Sequence, residues 1–163
     1  MFKIGDEVVY PPYGAGYVSA IEEQSFTNRK EIYHVIKLLF EELSVFVPSK
    51  MLSSRNVRLA LDLQGMKKQI SNDVTFDFST RPINKNIKHY ENILLTGNIA
   101  LTISVMTAIL NKKISERLNQ TEREFYTKLY GIVLSEIMVS ERVKKRDAEK
   151  LLDGLLKEIL LKD

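Results

Sequence analysis

Apolar positions alternate with polar ones over the first third of the chain and recur at helical spacing over the rest. Glu7–Tyr10, Tyr17–Glu22, Ile32–Leu38 and Leu43–Val47 are short runs rich in Val, Ile, Tyr and Phe. Such runs predict strands, and the short spacing between them predicts hairpins. Gly5-Asp6 leads into the first run and Pro11-Pro12 ends it, while Gly14 and Gly16 permit the backbone angles of a tight return. Thr27-Asn28-Arg29-Lys30 and Phe40-Glu41-Glu42 read as the next two turns. After Pro48-Ser49-Lys50, Asn56–Leu59 supplies a fifth short strand and completes a small β-barrel with an edge left open to pairing.

Beyond Leu61 the period changes to 3.6 residues. Asp62–Ile70 predicts a short helix weakened by Gly65. Ser71–Asn86 lacks helical periodicity and holds Pro82, so it reads as a connection. Asn86–Leu95 predicts a helix stopped at Gly97. Asn98 caps the next one, which runs to about Lys113 and, being apolar nearly all round, belongs at the centre of a bundle. Thr121-Glu122-Arg123-Glu124 fits a capping box that opens a helix through Val139, with Phe125, Leu129, Ile132 and Ile137 among its apolar positions. A last helix, Lys145–Leu161, carries a stripe that includes Leu152, Leu155 and Leu156. The expected fold class is α+β: an SH3- or Tudor-like β-barrel over residues 1–61, then an α-helical bundle over residues 62–163.

Composition narrows the setting. With 163 residues, 44% of them hydrophobic, the chain can bury a real core, and the absence of cysteine excludes a disulfide framework and any thiolate metal site. The amino terminus lacks the basic and apolar segments of a secretory signal. The longest apolar stretch, Ile99–Leu110, falls short of the roughly 20 residues a membrane span needs. A cytoplasmic protein without membrane contact is expected. Residues 1–60 carry seven Lys/Arg against seven Asp/Glu, so the formal charge of +3 lies in the remainder. Within Arg81–Lys113 five basic side chains and His89 face one acid, Glu91. That local excess attracts phosphate, or is simply a solvated helical face.

Catalytic chemistry finds little support. The two histidines, His34 and His89, sit in no nucleophile–base–orienter constellation and cannot form a metal site at this spacing. Gly14-Ala15-Gly16 is too short for a dinucleotide fingerprint and is not followed by a helix. No catalytic residue, metal or cofactor is therefore expected. The binding signal is stronger: Leu43-Ser44-Val45-Phe46-Val47 alternates and ends at Pro48, as an edge strand does, and an open edge accepts a strand from another chain. Phe46 lies opposite Leu43, Val45 and Val47 and is a core residue or an exposed contact; core is the expectation.

Phe2-Lys3-x-Gly5-Asp6-x-Val8-Val9-Tyr10-Pro11 followed by the Gly14-x-Gly16 loop resembles the opening of the CarD-like (CdnL) bacterial transcription regulators. Tyr33-x-Val35-Ile36-Lys37, Val45-x-Val47-Pro48, Asn56-Val57-Arg58, Tyr90, Leu95-Thr96-Gly97-Asn98 and Leu118-Asn119-x-x-Glu122-Arg123 resemble later motifs of that family, in order, over nearly the whole chain. The resemblance implies a Tudor-like domain whose strand, here Leu43, Ser44, Val45, Phe46 and Val47, pairs with the β subunit of RNA polymerase. It also implies a helical domain that touches promoter DNA at the upstream edge of the melted bubble, through Lys85, Asn86, Lys88, His89 and Arg123, and so stabilises the open complex. A monomer is expected. The transcription-repair coupling factor shares the amino-terminal module, but this chain has no Walker motif and is too short for a motor.

Two departures weaken the DNA half. The family's tryptophan wedge falls at Asn86, and the chain has no tryptophan; asparagine cannot unstack a base step, although Ile87 and Tyr90 are candidate substitutes. The family's V-V-R-D-L run is Val105-Met106-Thr107-Ala108-Ile109 here, without its charged pair. Two other readings remain open: a polymerase-bound protein adaptor with little DNA contact, and a ribosome- or RNA-associated SH3-like protein.

Overall fold

The computed structural model describes residues 1–26, 28–71 and 83–161. Among these residues five strands precede five α-helices in chain order: β1 (Glu7–Tyr10), β2 (Gly14–Gln24), β3 (Glu31–Leu38), β4 (Ser44–Pro48), β5 (Arg58–Leu59), α1 (Leu63–Ser71), α2 (Ile87–Leu95), α3 (Ile99–Ser115), α4 (Gln120–Ser140) and α5 (Lys145–Leu160). The strands form one antiparallel, Tudor-like sheet in the order β4-β3-β2-β1-β5, so the fold is α+β. Val8, Tyr10, Val18, Ile36, Leu38 and Val47 point to one face and make its core with Leu52 and Val57.

β2 begins three residues before the alternation predicts. Gly14, Ala15 and Gly16 show too little side chain to display a period, yet they pair with Tyr10, Val9 and Val8. Gly14 has φ +100° at the exit of the Pro11-Pro12-Tyr13 turn and does need glycine's freedom. Gly16 is glycine for another reason than the predicted one: a Cβ there would lie 1.9 Å from the Lys37 carbonyl oxygen of β3. The fifth strand is shorter than expected, because Asn56 turns the chain with φ +55° and only Arg58 and Leu59 reach the ladder.

In the helical part α3 packs against all four other helices, as its all-round apolar surface requires. Ile103, Met106 and Ile109 from α3 meet Met66, Tyr90, Leu129, Ile137 and Leu152 in one buried cluster. The Asn98 side chain caps α3 by accepting from the Leu101 N–H, and Gly97 turns the chain with φ +68°. The capping box of α4 lies two residues before the predicted one. Asn119 accepts from the Glu122 N–H while Glu122 accepts from the Asn119 N–H, and Thr121 is already inside the helix. Both Asn-x-x-Glu and Thr-x-x-Glu occur there, and the earlier one holds the extended N-cap backbone (φ −74°, ψ 174°) that a cap needs. Of the connection predicted for Ser71–Asn86, residues 72–82 lie outside the described residues; Ile83–Lys85 form a single 3-10 turn.

The sheet sits on α4. Val9, Ala15 and Val139 form a small shared core with Leu39 and Ala60, and the buried Ala15 N–H donates to Ser135 Oγ at 2.8 Å. Phe40, at the tip of the β3–β4 turn, lies over Gly131, where a Cβ would come within 2.0 Å of its ring.

Candidate functional site

Among the described residues β4 pairs with β3 alone, which leaves the other side of its backbone open there. Register decides which side chains face out. Val45 and Val47 lie opposite Ile36 and His34 on the core side, while Ser44 and Phe46 lie opposite Lys37 and Val35 on the other. Of the five residues singled out from the sequence, Val47 is buried, Leu43 and Val45 are half-buried against the sheet core, and Ser44 and Phe46 are exposed. Phe46 is 46% exposed, which corrects the expectation that it belongs to the core. Two apolar faces of a short strand look alike in sequence; the partner strand tells them apart.

Phe46 is not isolated. Phe26, 60% exposed in the β2–β3 turn, meets the Phe46 ring edge-on at 5.8 Å and the Tyr33 ring at 5.2 Å. Ile32 is exposed on the same hairpin. An aromatic patch therefore borders the open edge, and exposed aromatics grouped in this way are the usual centres of protein interfaces. Phe26 was not singled out in the sequence, although a large apolar residue inside a polar turn (Gln24-Ser25-Phe26, then Asn28-Arg29-Lys30) was a usable signal.

The second site is the end of the helical part where α2 and α4 begin. Tyr90 and Phe125 pack with ring centroids 6.3 Å apart, and the Ile83–Lys85 turn lies against α4. Lys85 and Lys88 are exposed here, Asn86 and His89 are half-buried, and Arg123 is exposed in the first turn of α4. Asn86 is the N-cap of α2 without a side-chain cap bond, and no acid occupies the first turn, so the positive end of the helix adds to the two lysines. Lys112 does not contribute, since its ammonium contacts Glu122 at 2.6 Å. Tyr90 is fully buried and cannot act as a wedge; Ile87 is half-buried against the helical core.

A polar seam joins the sheet to the helical part. Arg58 of β5 grips the fully buried Glu136 of α4 with both terminal nitrogens, at 2.5 and 2.9 Å, and its Nε donates to the Gly97 carbonyl at 2.7 Å. The Leu61 N–H donates to the same carboxylate at 2.9 Å, and Asn56 Nδ2 donates to the Leu95 carbonyl at 2.8 Å. Asn56-Val57-Arg58 and Leu95-Thr96-Gly97-Asn98, remote in the chain, are thus one joint.

The remaining candidates are structural. His34 is 1% exposed; its Nε2–H donates to the Phe2 carbonyl at 3.1 Å, leaving Nδ1 to accept from the Ser49 hydroxyl at 2.8 Å. Among the described residues no group of three His, Cys, Asp or Glu side chains is placed to hold a metal ion, and no helix is long and apolar enough to cross a membrane.

Residues 2–59 match the family model of the CarD-like/TRCF RID domain, and residues 75–153 match that of the CarD C-terminal domain. Over 148 residues the chain is 30% identical to a Bacillus subtilis (strain 168) protein named "Putative transcription factor YdeB", an alignment that covers 90% of this chain and 96% of the relative. The matches describe a transcription-factor family, not an enzyme family. Both halves of the chain and their order agree with it, and the chain belongs to the CarD-like family of transcription factors.

Proposed function

We propose that this protein regulates transcription by docking on the β subunit of RNA polymerase through the open edge of β4 and holding promoter DNA at the basic end of α2 and α4, so that the open complex lives longer. The observation that carries this reading is the β4 edge itself: a strand with one edge open among the described residues, bordered by Phe46 and Phe26, offers backbone pairing and an aromatic anchor together. Lys85, Lys88 and Arg123 then act mainly on phosphates, with affinity drawn from counterion release and little reading of bases. The protein works as a cytoplasmic monomer under this reading, with residues 1–61 as the polymerase-binding domain and residues 62–163 as the DNA-binding one. Polymerase supplies the effective concentration that weak DNA contacts need.

Ser44→Arg and Phe46→Arg, checked for folding by circular dichroism, test the docking edge. Loss of a central aromatic anchor costs about 2 kcal/mol or more, roughly a thirtyfold drop in affinity for the isolated β-subunit fragment. Unchanged affinity in both folded variants refutes the edge. Lys85→Glu with Lys88→Glu should shorten the lifetime of a competitor-resistant promoter complex while leaving polymerase binding intact. Equal lifetimes for wild type, this variant and no added protein favour the adaptor reading instead, which the burial of Tyr90 and the asparagine at position 86 support.

A further inference from the structure

The last two turns of α3, the connection that follows and the first two turns of α4 line a cleft of about 630 Å3. Leu110, Leu118 and Tyr126 give it an apolar wall, and Lys113, Arg117 and Arg123 line it with positive charge. Glu116 is the one acid in the lining, and Lys112 lies 3.9 Å from it. None of the three cations forms an ion pair among the described residues, and all three are exposed. A volume in this range suits a small molecule, which typically fills a site of roughly 300–1,000 Å3.

We propose that this cleft binds a nucleoside polyphosphate, with the base against Leu110, Leu118 and Tyr126 and the phosphates on Lys113, Arg117 and Arg123. The two halves of the lining ask for both parts of such a ligand. An apolar wall offers little to inorganic phosphate, and three cations without an ion-pair partner among the described residues favour a ligand that carries negative charge as well as a ring. Arg123 is already fixed to the cleft wall, because its Nη1 donates to the Leu118 carbonyl, so little side-chain freedom is lost when an anion arrives. Tyr126 keeps its proton, since burial and then the charge of Asp153 raise its pKa, and a neutral phenol does not repel phosphate. Binding does not depend on the DNA reading. Its consequence does: Arg123 belongs to both sites, so an occupied cleft competes with DNA for that side chain.

Calorimetric titration of the full chain with GTP, ATP, guanosine and pyrophosphate tests the assignment. The nucleoside triphosphates should bind at least about tenfold more tightly than guanosine or pyrophosphate, because only they engage both halves of the site. Lys113→Gln and Arg117→Gln, both at exposed positions, should each weaken triphosphate binding about tenfold. Tyr126→Leu, checked for folding, should weaken triphosphate binding and leave that of pyrophosphate unchanged. The proposal is overturned if no heat appears with either triphosphate at millimolar concentration, or if pyrophosphate matches them. It is also overturned if the Lys113 and Arg117 variants bind like wild type, or if a single-stranded oligonucleotide occupies the cleft in preference to GTP.

Discussion

Removing the Glu136 carboxylate should loosen the whole molecule, and the size of the effect follows from its surroundings. Glu136 is fully buried and accepts from both terminal nitrogens of Arg58 and from the Leu61 N–H. Breaking a buried pair by deleting one partner costs about 3–5 kcal/mol, because the other charge is left without compensation. Arg58 here retains the Gly97 and Leu59 carbonyls, and its side chain is 27% exposed, so water can reach it. Glu136→Ala is therefore expected near the lower end, about 3 kcal/mol. Arg58→Ala should cost at least as much, about 3–4 kcal/mol, since it leaves a buried carboxylate with only the Leu61 N–H. Replacing both with alanine removes both charges, so the double variant should lose less than the sum of the two single ones, leaving a coupling of about 2 kcal/mol or more in the cycle. Urea unfolding of the four proteins, followed by circular dichroism, measures each term. A Glu136→Ala cost below about 0.5 kcal/mol, or a strictly additive cycle, would show that the seam is not held by this pair.

Two further outcomes are expected. Gly16→Ala puts a Cβ against the Lys37 backbone, where no side chain can yield, and should destabilise by about 3 kcal/mol or more in the same urea assay; an effect under about 1 kcal/mol would mean β2 and β3 can separate without cost. Tyr130 has its pKa raised above the ordinary 10.0 by burial and then by Asp153, which accepts its hydroxyl bond at 3.1 Å. Below pH 10 both folded and unfolded chains keep that proton, and above it only the unfolded chain loses it, so stability should fall as pH rises past 10 and fall less steeply in Tyr130→Phe. Equal slopes for wild type and variant would remove Tyr130 from the alkaline response.

Strands, helices and their order were legible because period and turn chemistry agreed along most of the chain. Where they were silent, the elements shifted: Gly14-Ala15-Gly16 joined β2 with almost no side chains to show it, and a pair of overlapping cap patterns hid the true start of α4. The open edge of β4 was readable from its alternation and terminal proline, but the outward face of Phe46 was not, because the β3 register assigns it. Contacts remote in sequence were the least visible. Nothing local in Arg58 says that it meets Glu136, and nothing in Lys112 says that Glu122 has already taken its charge.

The seam through Arg58, Glu136 and Gly97 makes the chain a calliper rather than a tether. Two sites joined by a slack linker find each other over a range of separations. Two sites set in one packed body accept only the separation built into it. Under the proposed function, with β4 as the anchor and the basic end of α2 and α4 as the grip, this would make a weak contact a measurement of distance: DNA at the right span from the anchor would be held, and DNA displaced by a few ångströms would be missed without any base having been read.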